Sequence, residues 1–298
     1  MTTNASLPLY DLHSHWGTRR GYPLRTPEEL AQQKKVWNSE PRYASEDEMA
    51  EELRRSNVRV ILDLGFTKFL PIDEVAALHD YAFATQRSHP DVILGHWLQI
   101  NPKLGREGVL ELRRCADNSP GFLGYAVSGA AIAPPSDPVW APFYDFCVEA
   151  NLPVLVLVGF NGAGAGLPGG GGMLIDHCHP RHLDIVAARY PDLQIVAGRP
   201  AWPWQAETIA VLLHKRNIWY ELHGWSPKYF GPDLKHDISR RLKDRVMFGA
   251  DYPLFTYERL LRDWRLEGYS EDTLEKVFTR NAERFFASVS LRRNPAAR

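Results

Sequence analysis

Short apolar runs recur along this chain, separated by longer stretches whose apolar residues return every three or four positions. Eight runs read as strands: Leu9–His13, Arg59–Leu64, Val92–Gln99, Phe122–Val127, Pro153–Val158, Leu193–Ala197, Ile218–Leu222 and Arg245–Gly249. Between them the spacing predicts helices over Ile72–Ser88, Glu107–Asp117, Val139–Ala150, Arg181–Tyr190, Trp204–Lys215, Leu234–Lys243 and Tyr257–Leu266. Helices alternating with short apolar strands argue for βαβ units and a parallel sheet, buried on both faces. Eight such units favour an α/β fold of the closed (β/α)8 or TIM-barrel type, because closure removes both sheet edges. A doubly wound open sheet is the alternative. The glycine fingerprint it often carries is absent after the first strand, where the sequence reads HSHWGTRRGY.

No linker interrupts the alternation, so residues 1–298 read as one domain. Two segments break the rhythm. Trp16–Glu46, rich in arginine, proline and polar groups, follows the first strand. Gly159–Gly172 follows the fifth and holds seven glycines between Gly162 and Gly172. Loops that follow barrel strands hang over the catalytic face. The glycine run lacks the Lys-Ser/Thr of a phosphate loop. That leaves a mobile lid or a plain surface insertion. The segment after Phe286 (ASVSLRRNPAAR) reads as a frayed tail.

Composition narrows the function classes. A net charge of -1 gives no electrostatic footprint for nucleic acid or an anionic membrane. No apolar run approaches a membrane span, and Met1–Pro8 is short and polar, unlike a secretory signal. Cys115, Cys147 and Cys178 form neither a disulfide framework nor a CxxC pair. The expectation is a cytoplasmic enzyme acting on a small molecule, with a homo-oligomer compatible with the sequence.

The sharpest local signal is Asp11-Leu12-His13-Ser14-His15. On a strand, residues two apart share a face, so His13 and His15 should both face the barrel interior. Two imidazoles there are either a pair of metal ligands or polar core histidines. The second signal is Asp251, in FGADYP after the eighth strand. Closure makes strands eight and one neighbours, which brings its carboxylate to the two imidazoles. It could ligate metal or take a proton from water. The plainer reading is a helix N-cap.

These bookends resemble the amidohydrolase-related group that includes aminocarboxymuconate semialdehyde decarboxylase, resorcylate decarboxylase and pyrone dicarboxylate lactonase. DLHSH and VMFGADYP carry the likeness, with DPVWAPFYDFCVEANLPVLVLVG, ARYPDLQIVAG, PWQAETIAVL and NAERFF between and after them. The resemblance implies a TIM-barrel hydrolase or lyase with a metal site of four or five residues. Two customary histidines are missing: Leu157 stands at the end of the fifth strand and Arg199 after the sixth. His13, His15 and Asp251 remain, enough for one divalent cation such as Zn or Mn with an open position. A guanidinium beside the site opposes a dication. The lactonase branch is understood to work without metal and to bind substrate carboxylates with arginines, a role that suits the planar fork of Arg199. An ordinary ion-pair arginine is the alternative.

Other residues complete the candidate set. His223, after the seventh strand, could be an acid, a base, a ligand or a plain loop histidine. Trp202 and Trp225 flank Arg199 and His223 and would suit a flat, acidic or ring-bearing substrate, unless they simply pack under the loops with Trp204. His177 and His179 have ligand spacing, but Asp176 and Pro180 beside them read as helix-entry chemistry. His96 reads as core. Arg19 and Arg20 read as solvated loop residues.

The leading expectation is hydrolysis of a small cyclic or aromatic, acidic compound at a lactone, amide or related bond. Asp251 would act as base, His13 and His15 would polarise the carbonyl, Arg199 would be the anchor and His223 a second acid/base. Non-oxidative decarboxylation of an aromatic acid uses nearly the same residues. A non-catalytic ligand-binding barrel is the third reading.

Overall fold

The computed structural model describes residues 7–22, 26–37, 43–65 and 67–293. Eight strands form one parallel sheet in sequence order. They are β1 (Leu9–Ser14), β2 (Val58–Asp63), β3 (Ile93–Leu98), β4 (Phe122–Val127), β5 (Val154–Leu157), β6 (Ile195–Gly198), β7 (Ile218–Glu221) and β8 (Val246–Met247). The order closes on itself. Leu12 N donates to Phe248 O (3.0 Å), Asp251 N to His13 O (3.1 Å) and His15 N to Tyr252 O (2.7 Å), stitching β1 to the segment after β8.

Around the sheet run α1 (Pro27–Trp37), α2 (Glu46–Arg55), α3 (Ile72–Ser88), α4 (Gly105–Asn118), α5 (Ala141–Glu149), α6 (Pro180–Arg189), α7 (Gln205–His214), α8 (Pro232–Ile238), α9 (Tyr257–Leu266), α10 (Glu271–Glu275) and α11 (Asn281–Arg293). Alternation along each strand divides the core in two. Val154, Val156, Ile195, Ala197, Ile218, Tyr220, Val246 and Phe248 belong to the layer between strands and helices. Leu155, Leu157, Val196 and Met247 join Tyr10, Leu12, Ile61 and Trp97 in a separate inner cluster. Burying side chains of this size contributes roughly 1.5–3 kcal/mol each.

The structure corrects several expectations. The chain does not fray after Phe286. Helix α11 runs to Arg293 and sets Phe285 and Val289 against the inner cluster, so apolar burial holds it there; residues 294–298 lie outside the described residues. The helix predicted over Leu234–Lys243 stops at Ile238. Beyond it the chain turns back, with Arg240 N and Leu242 N both donating to Asp237 O. The segment after β1 is not merely a loop: it contains α1 and the start of α2, although 23–25 and 38–42 lie outside the described residues. Ser45 caps α2 in a reciprocal capping box with Glu48. In the glycine segment, Gly169, Gly170 and Gly171 sit in succession at φ 59°, 64° and 63°. A run of left-handed residues is open only to glycine.

Candidate active site

Every residue of the site leaves the C-terminal end of a strand, where barrels of this kind concentrate their chemistry. Simple alternation does not explain how His13 arrives there. Tyr10 and Leu12 point inward with the inner cluster, which would turn His13 outward. The pairing of β1 with β2 shifts between Asp11 and Ser14: Asp11 pairs with Val60, but Ser14 with Leu62. The extra residue is a bulge, a device that re-aims a side chain. Asp11 holds it. Its buried carboxylate accepts from His13 N (3.1 Å), Ser14 Oγ (2.5 Å), Tyr257 Oη (2.8 Å) and Ala250 N (3.0 Å). The last bond ties the bulge to the residue before Asp251. Burial pushes the Asp11 carboxyl up to about 7, against these four donors.

The sequence-predicted trio does converge. The His13 and His15 rings lie 5.1 Å apart, edge to face. His15 Nε2 lies 3.1 Å from Asp251 Oδ1. Asp251 is not a helix N-cap: it sits at φ 62°, and Thr256 caps α9. A non-glycine residue in that region is strained, and such strain clusters at functional sites. Burial pulls the His15 imidazole down, but the bond and charge of Asp251 outweigh it and raise it above its ordinary value. Burial likewise pushes Asp251 up, and the His15 bond and the surrounding positive charges outweigh it, leaving the carboxyl at about 2. Asp251 is therefore a carboxylate, and its pairing shifts His15 toward the protonated form.

The structure adds residues that the sequence did not single out. Asp63, the last residue of β2, receives His13 Nε2 at 2.8 Å and Gln99 Nε2 at 3.0 Å on both oxygens. Burial lowers His13 below its ordinary value despite Asp63. A neutral His13 has one N–H, and Asp63 can only accept it. Nδ1 is then a bare lone pair, with no hydrogen-bond partner among the described residues. The other addition is Glu221, at the end of β7 and fully buried, whose Oε2 lies 2.6 Å from His223 Nδ1. Burial raises the Glu221 carboxyl well above its ordinary range and pulls the His223 imidazole well below its own. The His223 ring packs 3.6 Å from that of His13. Each is an acidic residue that closes a strand, after VRVIL in β2 and IWY in β7.

Arg199 lies in the site, at φ 79°. Its Nε donates to His223 Nε2 (3.0 Å) and its Nη1 to Phe160 O (3.3 Å). Among the described residues no carboxylate lies within ion-pair distance of it. Phe160, Trp202 and Trp225 form one aromatic cluster, with ring centroids 6.0–6.4 Å apart; Trp202 is 48% exposed. The Trp204 ring packs tilted against His179 instead, 4.6 Å between centroids. Leu157 packs in the inner cluster and offers no ligand. His179 caps α6 through Arg181 N, and His177 Nδ1 donates to Gly129 O, so neither enters the site. His96 is core, with Nε2 donating to Ala82 O.

Among the described residues, two groups at the site could hold a divalent cation: His13, His223 and Asp251, and His13, His15 and Asp63, each with ligand atoms within 4.8 Å of one another. The donor chemistry fits zinc or manganese. His13 presents its bare Nδ1 while Asp63 orients the ring from behind, the usual support of a metal-binding histidine. Asp251 supplies the charge. His223 fits less well, because Arg199 covers its Nε2. A third cluster, His79, Glu111 and Cys115, lies between α3 and α4. There Arg114 already forks onto Glu111, and burial pushes the Cys115 thiol well above its ordinary range, so it is a hydrogen-bonded structural cluster.

Ligand-bearing residues at the strand ends of a closed eight-stranded barrel define a metal-capable catalytic barrel. The Amidohydrolase family profile matches residues 10–287, and the chain belongs to that family. No curated protein matches. Solved structures share the fold. An uncharacterized TIM-barrel protein, Bb4693 from Bordetella bronchiseptica, is 20% identical, with 95% of this chain and 100% of that one covered and a TM-score of 0.68. A 2,6-dihydroxybenzoate decarboxylase from Rhizobium is 14% identical, covering 95% and 99%, with a TM-score of 0.70. A 5-carboxyvanillate decarboxylase from Novosphingobium aromaticivorans, complexed with manganese and 4-hydroxy-3-methoxy-5-nitrobenzoic acid, is 18% identical, covering 95% and 96%, with a TM-score of 0.68. Among the described residues no helix is long and apolar enough to cross a membrane.

Proposed function

We propose that the protein removes carbon dioxide non-oxidatively from a small aromatic acid. The observation that carries this is the His15–Asp251 couple at 3.1 Å. It sets an imidazole, shifted toward its protonated form by that carboxylate, in the site that also holds Arg199 and the Phe160–Trp202–Trp225 cluster. The ring packs on the aromatic residues. Arg199 holds an anionic substituent other than the departing one, since a carboxylate paired with guanidinium is stabilised as an anion and resists losing CO2. The bond from ring to carboxylate breaks, its electron pair stays on the ring carbon, and the His15 N–H delivers a proton there. Asp251 stabilises the proton on His15 between turnovers. His13, through its bare Nδ1, and Asp251 would hold a divalent cation, leaving His15 to carry its proton; when bound, it would supply Lewis-acid polarisation of a substrate oxygen. The decarboxylases among the fold relatives support this reading over hydrolysis, the leading expectation from the sequence.

One observation favours the hydrolytic reading: Asp251 is a buried carboxylate beside His15, a group that could accept a proton from water. Isotopes separate the two. In D2O, a panel of aromatic acids should yield CO2 and a product with one deuteron at the vacated ring carbon. Incorporation of 18O from labelled water without CO2 would replace the lyase by a hydrolase. Under either chemistry Asp251→Asn should lower kcat by about 100- to 10,000-fold. Unchanged turnover in that variant would remove the catalytic role altogether.

A further inference from the structure

We propose that Glu221 is a positioning residue: it fixes the tautomer of His223, and His223 thereby aims the Arg199 guanidinium at a bound anion. The inference rests on the reading of Arg199 as the substrate anchor.

The argument is one of donors and acceptors. The Nε of arginine always carries its hydrogen, so at 3.0 Å His223 Nε2 must accept. A neutral imidazole has one proton, which must then sit on Nδ1. That N–H needs an acceptor in a place water does not reach, since His223 and Glu221 are both fully buried. Glu221 Oε2 is that acceptor, at 2.6 Å. Without it the proton moves to Nε2 and faces the Arg199 Nε–H, two donors against each other, and the guanidinium swings away. The backbone reinforces the link, because Arg199 N donates to Glu221 O at 2.8 Å.

The barrel is shaped for this pair. A Cβ on Gly249, in the segment after β8, would lie 1.8 Å from Glu221 Oε1 and 2.8 Å from His223 Cβ. A Cβ on Gly198, at the end of β6, would lie 3.2 Å from His223 Cε1. Bare positions on both sides of β7 make the room the dyad fills. With Nε committed to His223 and one Nη1 hydrogen to Phe160 O, Nη2 and the second Nη1 hydrogen are left to meet a ligand. A guanidinium held in advance loses less rotamer entropy on binding than a free one.

The test uses the full-length protein, 15N-labelled at histidine, with benzoate as the anionic probe and benzamide as its uncharged match. NMR should find His223 as the Nδ1–H tautomer, assigned by its loss in His223→Asn. Calorimetry should show Glu221→Leu weakening benzoate at least about tenfold, with little change for benzamide. Glu221→Gln, whose carbonyl can still accept from Nδ1, should recover most of that loss. If Glu221→Leu does not fold, the wild-type tautomer and the Gln variant still decide. An Nε2–H tautomer in the wild type, or benzoate affinity indifferent to Glu221→Leu, overturns the proposal. Failure of the decarboxylase reading looks different: no CO2 from any aromatic acid, with the tautomer and benzoate binding intact.

Discussion

Gly249→Ala tests the packing of the site directly. The backbone there accepts alanine, since Gly249 is not among the positive-φ glycines, so space alone is at issue. The new methyl carbon would stand 1.8 Å from Glu221 Oε1 and 2.8 Å from both Glu221 Cδ and His223 Cβ. Ordinary contact needs about 3.5–4.0 Å, so the carboxyl must retreat by more than an ångström. It has nowhere to go. Its other oxygen is bonded to His223, whose ring lies 3.6 Å from the His13 ring on one side and close to Gly198 on another. Overpacking of this kind costs about 1–3 kcal/mol. Urea unfolding should show that loss as a lower midpoint at constant slope. Combining it with Glu221→Ala, which removes the obstructing carboxyl, should give a coupling energy of about 1–3 kcal/mol in the double-mutant cycle. A Gly249→Ala protein as stable as the parent, or strictly additive with Glu221→Ala, would refute the account of the dyad as a tightly fitted inward pair.

Gly159→Ala should be costlier, at about 2–4 kcal/mol: Gly159 sits at φ 78° and its Cβ would meet the Ala201 backbone at 2.4 Å, so strain adds to overpacking; a denaturation midpoint equal to wild type would contradict it. Glu111 is held at about 2, below its ordinary 4.5, by bonds from His79 and Arg114 that outweigh burial. A depressed carboxyl contributes stability that is full above about 4.5 and lost as pH falls toward 2. Glu111→Gln should therefore flatten the acid limb of the stability curve, and an unchanged limb would show that the cluster does not act this way. Protein prepared without chelator should carry one equivalent of zinc or manganese by elemental analysis, reduced in His13→Ala; equal metal content in that variant would take His13 out of the ligand set.

The barrel was legible in the sequence because parallel strands buried on both faces must be apolar throughout, and the helices between them must alternate. His13, His15 and Asp251 were legible too, the first two by proximity and the third because ring closure makes the last strand the neighbour of the first. Tertiary structure decided how they point. His13 faces inward through a bulge that Asp11 braces across 239 residues against Ala250, and strand periodicity carries no trace of that contact. Asp63 and Glu221 look in the sequence like any acidic residue ending a strand. Their character comes from burial beside an imidazole, which sets both charge and tautomer. Charge state and hydrogen-bond direction depend on what surrounds a group in space, and that surrounding is assembled from eight strands distant along the chain.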